Sequence, residues 1–232
     1  MKILSVSLAF LLLLTLASNG AYSDSKKGGY ENLSSIHFVS EAISEHERLH
    51  LIFMREEEKL ARDVYIKLSI EHPETRIFGK IAIAETHHTG SVFDALLRFN
   101  IDDPVVNDNV GVFSGEEFGP YFTEKYKDLT NQGLSSELDA LYVGAFIEEL
   151  DMLDIKTCPK VMIEEIDSIK VSNDCGLIYT NDRVISSLYG HLIAGSEDHL
   201  KAFVYNIEKY IGEGAYQAQV LPQEDIDDIL GR

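Results

Sequence analysis

The stretch MREEEKLARDVY, residues 54–65, decides the fold of this chain. Its apolar side chains recur every three or four residues, which is the spacing of one face of an α-helix. Glu58 lies on that face, four residues after Met54, and Glu57 lies beside it. On most helices such a run of acids is a solvated patch, but the apolar stripe favours one inward acid here. The stretch therefore predicts a long core helix carrying Glu58, or alternatively Glu57, toward the interior, with Glu56 facing solvent.

The same periodicity, read with its start and stop signals, predicts four long helices. A capping box, Ser44-x-x-Glu47, opens the first helix, and His72-Pro73 ends it. An irregular stretch and a short helix separate the second long helix from the third, and no β-alternation recurs along the chain. We predict an all-α fold, a four-helix bundle of two helix pairs joined by a long crossover, with helices at about residues 45–71, 78–98, 137–156 and 182–211.

The second helix carries a carboxylate and an imidazole on its apolar face. Glu85 and His88 are three residues apart, so they share one side of the helix one turn from each other. A lone buried histidine usually does no more than satisfy a hydrogen bond. A buried carboxylate three residues before it is harder to explain in that way, because an unpaired buried carboxylate is costly. The pair is a candidate for binding a metal ion.

The third and fourth helices supply the remaining candidates. Glu148 lies on an apolar face, although its neighbour Glu149 stays an open alternative and Asp151 lies one turn further along the same side. His199 lies in the apolar stripe of the fourth helix, and the residue three before it is Ser196. Carboxylates and imidazoles from four helices can surround two metal ions. The predicted ligands are Glu58, Glu85, His88, Glu148 and His199, with Glu57, Glu149 and Asp151 in reserve.

These segments resemble a known group of proteins. The chain is similar to the ferritin-like superfamily and, more closely, to the family labelled domain of unknown function 2202. The resemblance covers most of residues 45–225 and is carried by the segments 54–65, 77–88, 143–155 and 195–203. It implies a ferritin-like bundle with a di-iron or di-manganese centre held at the positions named above.

The resemblance also implies roles for two further positions. The superfamily's usual sixth ligand, a Glu on the fourth helix, falls at Ser196 in this chain. Asp151 or a water would then replace it, or the site would hold one metal ion or none. The spacing of Glu58 and Tyr65 resembles the Glu-x6-Tyr helix of the erythrin-type members. Tyr65 is therefore the candidate catalytic residue, as a hydrogen-bond donor to a ligand or as an electron donor.

The N-terminal segment and the two cysteines indicate the cellular compartment of the protein. Residues 1–22 combine a basic start, a short apolar run and small residues, which predicts a secretory signal peptide; the alternative is an uncleaved membrane anchor. Residues 23–43 are expected to be a flexible lead-in, and residues 44–232 the bundle domain with a C-terminal tail. In a secreted or periplasmic protein, Cys158 and Cys175 are expected to form one disulfide.

The net charge and the types of predicted ligand limit the classes of function that we expect for this protein. A formal net charge of −19 argues against nucleic acid and anionic membrane surfaces as partners. Carboxylate and imidazole ligands suit Fe or Mn, so we expect a metal-binding bundle whose partners are metal ions and O2 or peroxide, with oxidase, ferroxidase or peroxide-removing chemistry. An oligomer is allowed by analogy. The alternative is a metal-free structural or interaction module, in which the inward acids and histidines pair with Arg55, Arg62 or one another.

Overall fold

The computed structural model describes residues 43–232, and this part of the chain is helical without a strand. The predicted all-α fold is confirmed. The predicted signal peptide, and the lead-in up to residue 42, lie outside the described residues. Residues 43–232 form eight helices, α1 Glu45–Glu71, α2 Ile77–Arg98, α3 Gly119–Gly133, α4 Glu137–Lys156, α5 Lys160–Glu165, α6 Asp167–Ser172, α7 Arg183–Ile211 and α8 Gln223–Leu230. Among residues 43–232, no helix combines the length and the apolar character needed to cross a bilayer.

Local signals set the starts of the long helices. The capping box predicted at the start of α1 is present: the Glu47 amide donates to Ser44 Oγ, and the Ser44 amide donates to Glu47 Oε2 at 2.8 Å. Side chains also cap α4 and α7, where Ser136 and Asp182 accept amide hydrogen bonds from the first turn. These caps satisfy amides that have no partner within the helix.

The long helices bring four faces together. Helix α1 packs along α2, and α4 packs along α7. The two pairs meet where α2 contacts α7 and α1 contacts α4, while α3 covers both α1 and α4. The inward stripes of α1, α2, α4 and α7 therefore share one interior, and this places the acids and histidines of the four helices within reach of one another.

Helix α1 is buried on all sides over its middle, because the segment between α2 and α3 lies against its outer face. Every residue from 49 to 65 is buried. Arg55 forms a bidentate pair with Asp103, and Arg62 forms another with Asp108, so the segment is held to the helix by charge-assisted hydrogen bonds. The expectation that Glu56 faces solvent is wrong: its carboxylate is fully buried and accepts a hydrogen bond from the Gly115 amide at 3.2 Å.

The disulfide predicted between Cys158 and Cys175 is present. It joins the residues just after α4 to the turn that precedes α7, and it encloses the short helices α5 and α6. Both cysteines are buried.

Replacing both cysteines with serine should lower the free energy of unfolding by about 3 kcal/mol, because the bond closes a short loop in the unfolded chain. Urea unfolding of the double variant and the oxidised parent, both with a chelator present, measures the difference. Equal unfolding midpoints for the two proteins would show that the bond does not stabilise this fold.

His50, a buried histidine of α1, forms hydrogen bonds that join α1 to α7 and to the last turn of α4. Tyr189 donates its hydroxyl proton to His50 Nδ1 at 2.5 Å, and His50 Nε2 donates to the Asp154 carbonyl at 2.9 Å. Burial lowers the pKa of His50 to about 4, against the opposing pull of the Asp154 and Thr157 carbonyls. The ring is therefore neutral in the folded protein at neutral pH.

The unfolded chain binds a proton at His50 more tightly than the folded protein does. Acidification should therefore lower the free energy of unfolding. The loss begins as the pH falls below about 6.5, the ordinary value, and is complete below the folded pKa, where it reaches about 3 kcal/mol. His50→Gln keeps a donor and an acceptor but does not titrate. The stability of the parent should fall relative to His50→Gln between pH 7 and pH 4 in chelator-treated samples, whereas parallel pH profiles would contradict the assignment.

Candidate metal centre

The Glu85 carboxylate on α2 lies at the centre of the polar residues that the sequence singles out. Its Oε2 lies 2.9 Å from His88 Nδ1 on the same helix, and its Oε1 lies 2.7 Å from His199 Nδ1 on α7. One carboxylate therefore faces two imidazoles, with one oxygen directed to each. This is the geometry in which a carboxylate can bridge two cations.

Each imidazole also faces a second carboxylate. His88 Nδ1 is 3.4 Å from Glu58 Oε2 on α1, and His199 Nδ1 is 3.5 Å from Glu148 Oε2 on α4. The two imidazole rings are 5.5 Å apart between centroids. The five residues expected to be ligands are thus brought together as two similar groups, each of one imidazole and two carboxylates, that share Glu85.

The acids of this cluster meet imidazoles rather than arginines. Across the described residues, the salt bridges of Glu58, Glu85 and Glu148 are all made with His88 or His199. Arg55 and Arg62 of α1 pair instead with the segment between α2 and α3. The three acids therefore converge on the two imidazoles and, within the described residues, form no pairs with arginines.

Burial makes this arrangement electrostatically unusual. Burial opposes ionisation of Glu85, yet His199 and His88 hold the pKa of its carboxyl at about 2. Burial likewise opposes protonation of the imidazoles, but the facing carboxylates raise the pKa of His88 to about 11 and that of His199 to about 10. Two positive charges are thus drawn toward the same buried carboxylate.

The acids outnumber the histidines that neutralise them. Burial and, next, the charge of Asp151 raise the pKa of Glu58 well above its ordinary value, and burial raises that of Glu148. Burial also raises the pKa of Asp151 to about 8. A buried carboxylate without a cationic partner takes up a proton instead of ionising. The cluster therefore has more carboxyl groups than the two imidazoles can neutralise, and the remaining carboxyls would be protonated unless an additional cation bound.

Several buried atoms of the cluster have no hydrogen-bond partner among residues 43–232. They are Glu58 Oε1, Asp151 Oδ1 and His199 Nδ1. His199 Nδ1 and Glu85 Oε1 lie only 2.7 Å apart, but their directions do not suit a hydrogen bond. Two ligand atoms of one metal ion are about 3 Å apart when each bond is about 2 Å. The short distance between these two atoms, without a hydrogen bond, is therefore what two ligand atoms of the same metal ion would show.

Two hydroxyls orient the outer oxygens of the acids on α4. Tyr65, on α1, donates to Glu148 Oε1 at 2.6 Å and also lies 3.3 Å from the Gly144 carbonyl. Ser196, on α7, donates to Asp151 Oδ2 at 2.6 Å. Ser196, which stands where the resemblance implied a glutamate, is therefore hydrogen-bonded to a carboxylate of α4. Asp151, a reserve candidate, is thus held next to Ser196, the position at which the resemblance implied a sixth ligand.

The other two reserve candidates lie elsewhere. The Glu149 carboxylate accepts hydrogen bonds from the Tyr216 hydroxyl and from the amides of the segment 219–221, so it anchors the C-terminal tail to α4. Glu57 is buried, and among residues 43–232 its carboxylate forms no salt bridge with either imidazole; burial and, next, the charge of Asp154 raise its pKa well above the ordinary value. Sequence reasoning missed Asp154, although its position three residues after Asp151 on one helix was a usable signal.

A glycine on α7 leaves space for one of the imidazoles. A Cβ atom added at Gly195 would lie 2.4 Å from His88 Cε1 and 2.5 Å from His88 Nε2. Real Cβ atoms do not approach other heavy atoms so closely, so an alanine here would displace the ring. Gly195 therefore permits the position of His88 that faces Glu58 and Glu85.

The proteins to which this chain is similar are described as uncharacterized or hypothetical. The family model described as "Uncharacterized protein domain (DUF2202)" matches residues 47–232. A relative described as "Uncharacterized protein MJ0754", from Methanocaldococcus jannaschii, is 40% identical over 200 residues, covering 86% of this chain and 94% of the relative. The crystal structure of the hypothetical protein MJ0754 from Methanococcus jannaschii superimposes with a TM-score of 0.67 at 39% identity, covering 82% of this chain and 94% of that one.

Proposed function

The chain belongs to the DUF2202 family, whose members are described as uncharacterized, and on that premise we propose that it is a ferritin-like protein that binds two iron or manganese ions. In this proposal α1, α2, α4 and α7 are the four helices of a ferritin-like bundle, and the segment with α3 is its crossover. The protein acts outside the cytoplasm, in a secreted or periplasmic setting that allows the Cys158–Cys175 disulfide to persist.

The observation that carries the proposal is the position of Glu85 between two imidazoles. Glu58, Glu85 and His88 would hold one ion, while Glu85, Glu148 and His199 would hold the other. Each group supplies oxygen and nitrogen donors without a thiolate, which is the donor set that favours Fe or Mn over thiophilic metals. The close approach of His199 Nδ1 to Glu85 Oε1 without a hydrogen bond supports the same assignment.

Charge balance supports two ions rather than one. Four buried carboxylates face this interior, and two divalent cations would balance them with both imidazoles neutral. The four carboxylates are Glu58, Glu85, Glu148 and Asp151. The orphaned oxygens of Glu58 and Asp151 fit this scheme, because a buried carboxylate oxygen normally has a partner.

The residues around the centre have separable tasks. Bound iron or manganese would supply redox chemistry toward O2 or peroxide, with ferrous iron oxidation or peroxide removal as the reactions. Tyr65 holds Glu148 by its hydroxyl, and Ser196 holds Asp151. The packed helices keep the cluster almost entirely out of water, since Glu58, Glu85 and Glu148 are each at most 2% exposed. A dry interior strengthens the attraction of these carboxylates for a cation.

A titration with Mn²⁺ tests the proposal, using full-length protein after chelation and elemental analysis after desalting. The parent should retain about two equivalents at the centre, and Glu85→Gln should lose at least one, because an amide nitrogen replaces one of the two carboxylate oxygens that face the imidazoles. Asp94→Asn removes an exposed acid from the same helix and should bind like the parent. Retention of two equivalents by Glu85→Gln would contradict the assignment.

A second candidate is a metal-free interaction or structural module. The favouring observation is the hydrogen bond between His88 Nδ1 and Glu85 Oε2 at 2.9 Å, which lets a protonated histidine neutralise the acid without a metal ion. In that case the parent would retain no Mn²⁺ at the centre. Glu85→Gln would then destabilise the fold whether or not a chelator is present.

A further inference from the structure

The imidazoles form the side of the proposed centre that comes nearest to solvent. The side chains of its acids on α1, α2 and α4 are each at most 2% exposed, whereas His88 is 7% and His199 12% exposed. His88 lies on α2 and His199 on α7, and their rings are neighbours across the contact between these helices. The two helices contact each other less extensively than each contacts its own partner, α1 or α4. The centre is therefore least shielded between α2 and α7.

Other sides of the centre are covered by further segments of the chain. The segment between α2 and α3 lies against the outer face of α1, where Arg55 and Arg62 hold it. The C-terminal tail lies against α4, where Glu149 accepts hydrogen bonds from its amides. Between α2 and α7 there is instead an open groove of about 540 Å³, whose lining includes Ser91 of α2 and Leu188 of α7.

A histidine that the di-metal assignment does not use lies beside this groove. His191, on α7, is exposed, and its ring meets that of His88 edge to face at 5.7 Å between centroids. The groove opens one helical turn away, since Ser91 follows His88 by three residues and Leu188 precedes His191 by three. The ring of His88 lies in turn 5.5 Å from that of His199. Three imidazoles therefore extend from the surface to the two proposed metal positions.

The spacing of His191 and His88 suits the successive binding of one cation. Two imidazoles that bind the same ion have ring centres about 5–6 Å apart, because each metal–nitrogen bond is about 2 Å long. The observed separation of 5.7 Å lies within that range. His88 directs Nδ1 to Glu85 at 2.9 Å, while its Nε2 lies on the side of Gly195 and α7. An ion bound at His191 would therefore be close to the next imidazole of the series.

We propose that His191 is the entry residue of the centre, which binds an arriving divalent transition-metal ion at the surface before the ion moves to His88. The inference rests on the proposed function and adds the route by which the centre is loaded. Imidazole favours transition metals over Mg²⁺ and Ca²⁺, so a histidine at the entrance selects the ions that the centre binds. A single exposed imidazole holds an ion weakly, and the buried carboxylates then bind it more tightly.

The test measures Mn²⁺ uptake by full-length, chelator-treated protein in a stopped-flow instrument with a metal-indicator dye, and Mn²⁺ release into excess chelator. His191→Phe keeps a ring against His88 but has no nitrogen. It should slow uptake and release alike by about tenfold, the lower end of the rate gain from concentrating ions at an entrance. The affinity should stay that of the parent, because a residue that the ion has left changes the barrier and not the end states.

Two further variants separate the nitrogen ligand from the ring. His191→Glu supplies a carboxylate ligand without a ring and should take up Mn²⁺ at nearly the rate of the parent. The control His87→Phe makes the phenylalanine substitution at an exposed histidine of α2, next to His88 in the sequence. It should match the parent in uptake, release and affinity.

The outcomes distinguish the entry route from the function on which it rests. If the parent binds two equivalents and His191→Phe takes them up as fast as His87→Phe, the route is overturned and the centre stands. The route also fails if His191→Glu is as slow as His191→Phe, or if His191→Phe loses affinity at an unchanged uptake rate, since His191 would then act only by packing. A parent that binds no Mn²⁺ overturns both proposals.

Discussion

Gly195→Ala is expected to weaken metal binding at the centre by about 10- to 100-fold, although residue 195 supplies no ligand. The added Cβ would lie 2.4 Å from His88 Cε1, so the imidazole must leave its present position. His88 Nδ1 would then move away from Glu58 and Glu85, and one of the two proposed positions would lose its nitrogen ligand. Equilibrium titration with Mn²⁺ in competition with a chelator of known affinity measures the loss.

Gly190→Ala is the matched control, because it makes the same substitution earlier on α7. Nothing lies within 4 Å of a Cβ atom added at Gly190. This control should bind Mn²⁺ like the parent and be more stable by about 0.5–1 kcal/mol, as alanine is the better helix former. If Gly195→Ala is folded by circular dichroism and binds as tightly as Gly190→Ala, His88 is not a ligand.

Glu149→Ala is expected to cost at least about 4 kcal/mol of unfolding free energy, the largest stability effect we expect from one side chain. The carboxylate is fully buried and accepts hydrogen bonds from the Tyr216 hydroxyl at 2.7 Å and from the Val220 and Leu221 amides at 2.6 and 3.0 Å. Removing it leaves these donors unsatisfied in the interior. We expect the C-terminal tail to detach, so that limited proteolysis cleaves the variant first within the tail.

A graded series tests whether the tail contacts cause this loss. Tyr216→Phe removes one of the hydrogen bonds and should cost about 1 kcal/mol, well below Glu149→Ala. Both variants should keep the metal content of the parent while they are folded, because Glu149 faces the tail and not the imidazoles. Loss of Mn²⁺ from folded Glu149→Ala at unchanged stability would instead place Glu149 among the ligands.

The cluster could be predicted from the sequence because helical spacing decides which side chains share a face. Glu85 and His88 follow from one helix alone, and His199 follows from the apolar stripe of α7. The choice between Glu148 and Glu149 could not be made in this way, because both acids are buried. Helix α4 is covered on one side by α7 and on the other by the tail, so neighbouring positions both face protein.

The features that could not be predicted from the sequence depend on contacts between segments that are far apart along the chain. Glu56 is buried because the segment between α2 and α3 lies over it, and the periodicity of α1 carries no sign of that cover. Lys59 is likewise fully buried against Asp63, where helical spacing alone suggests an exposed pair. The role of Ser196 also required the fold, since its partner Asp151 lies on another helix.

An X-ray diffraction experiment on crystals grown with Mn²⁺ tests the central claim most directly. Anomalous difference maps should show two peaks about 3.5–4 Å apart, the separation of paired metal ions in such sites. One peak should lie among Glu58, Glu85 and His88, and the other among Glu85, Glu148 and His199. The di-metal centre would be contradicted if crystals grown at a saturating concentration of Mn²⁺ gave maps without peaks at these positions and both histidines still contacted Glu85.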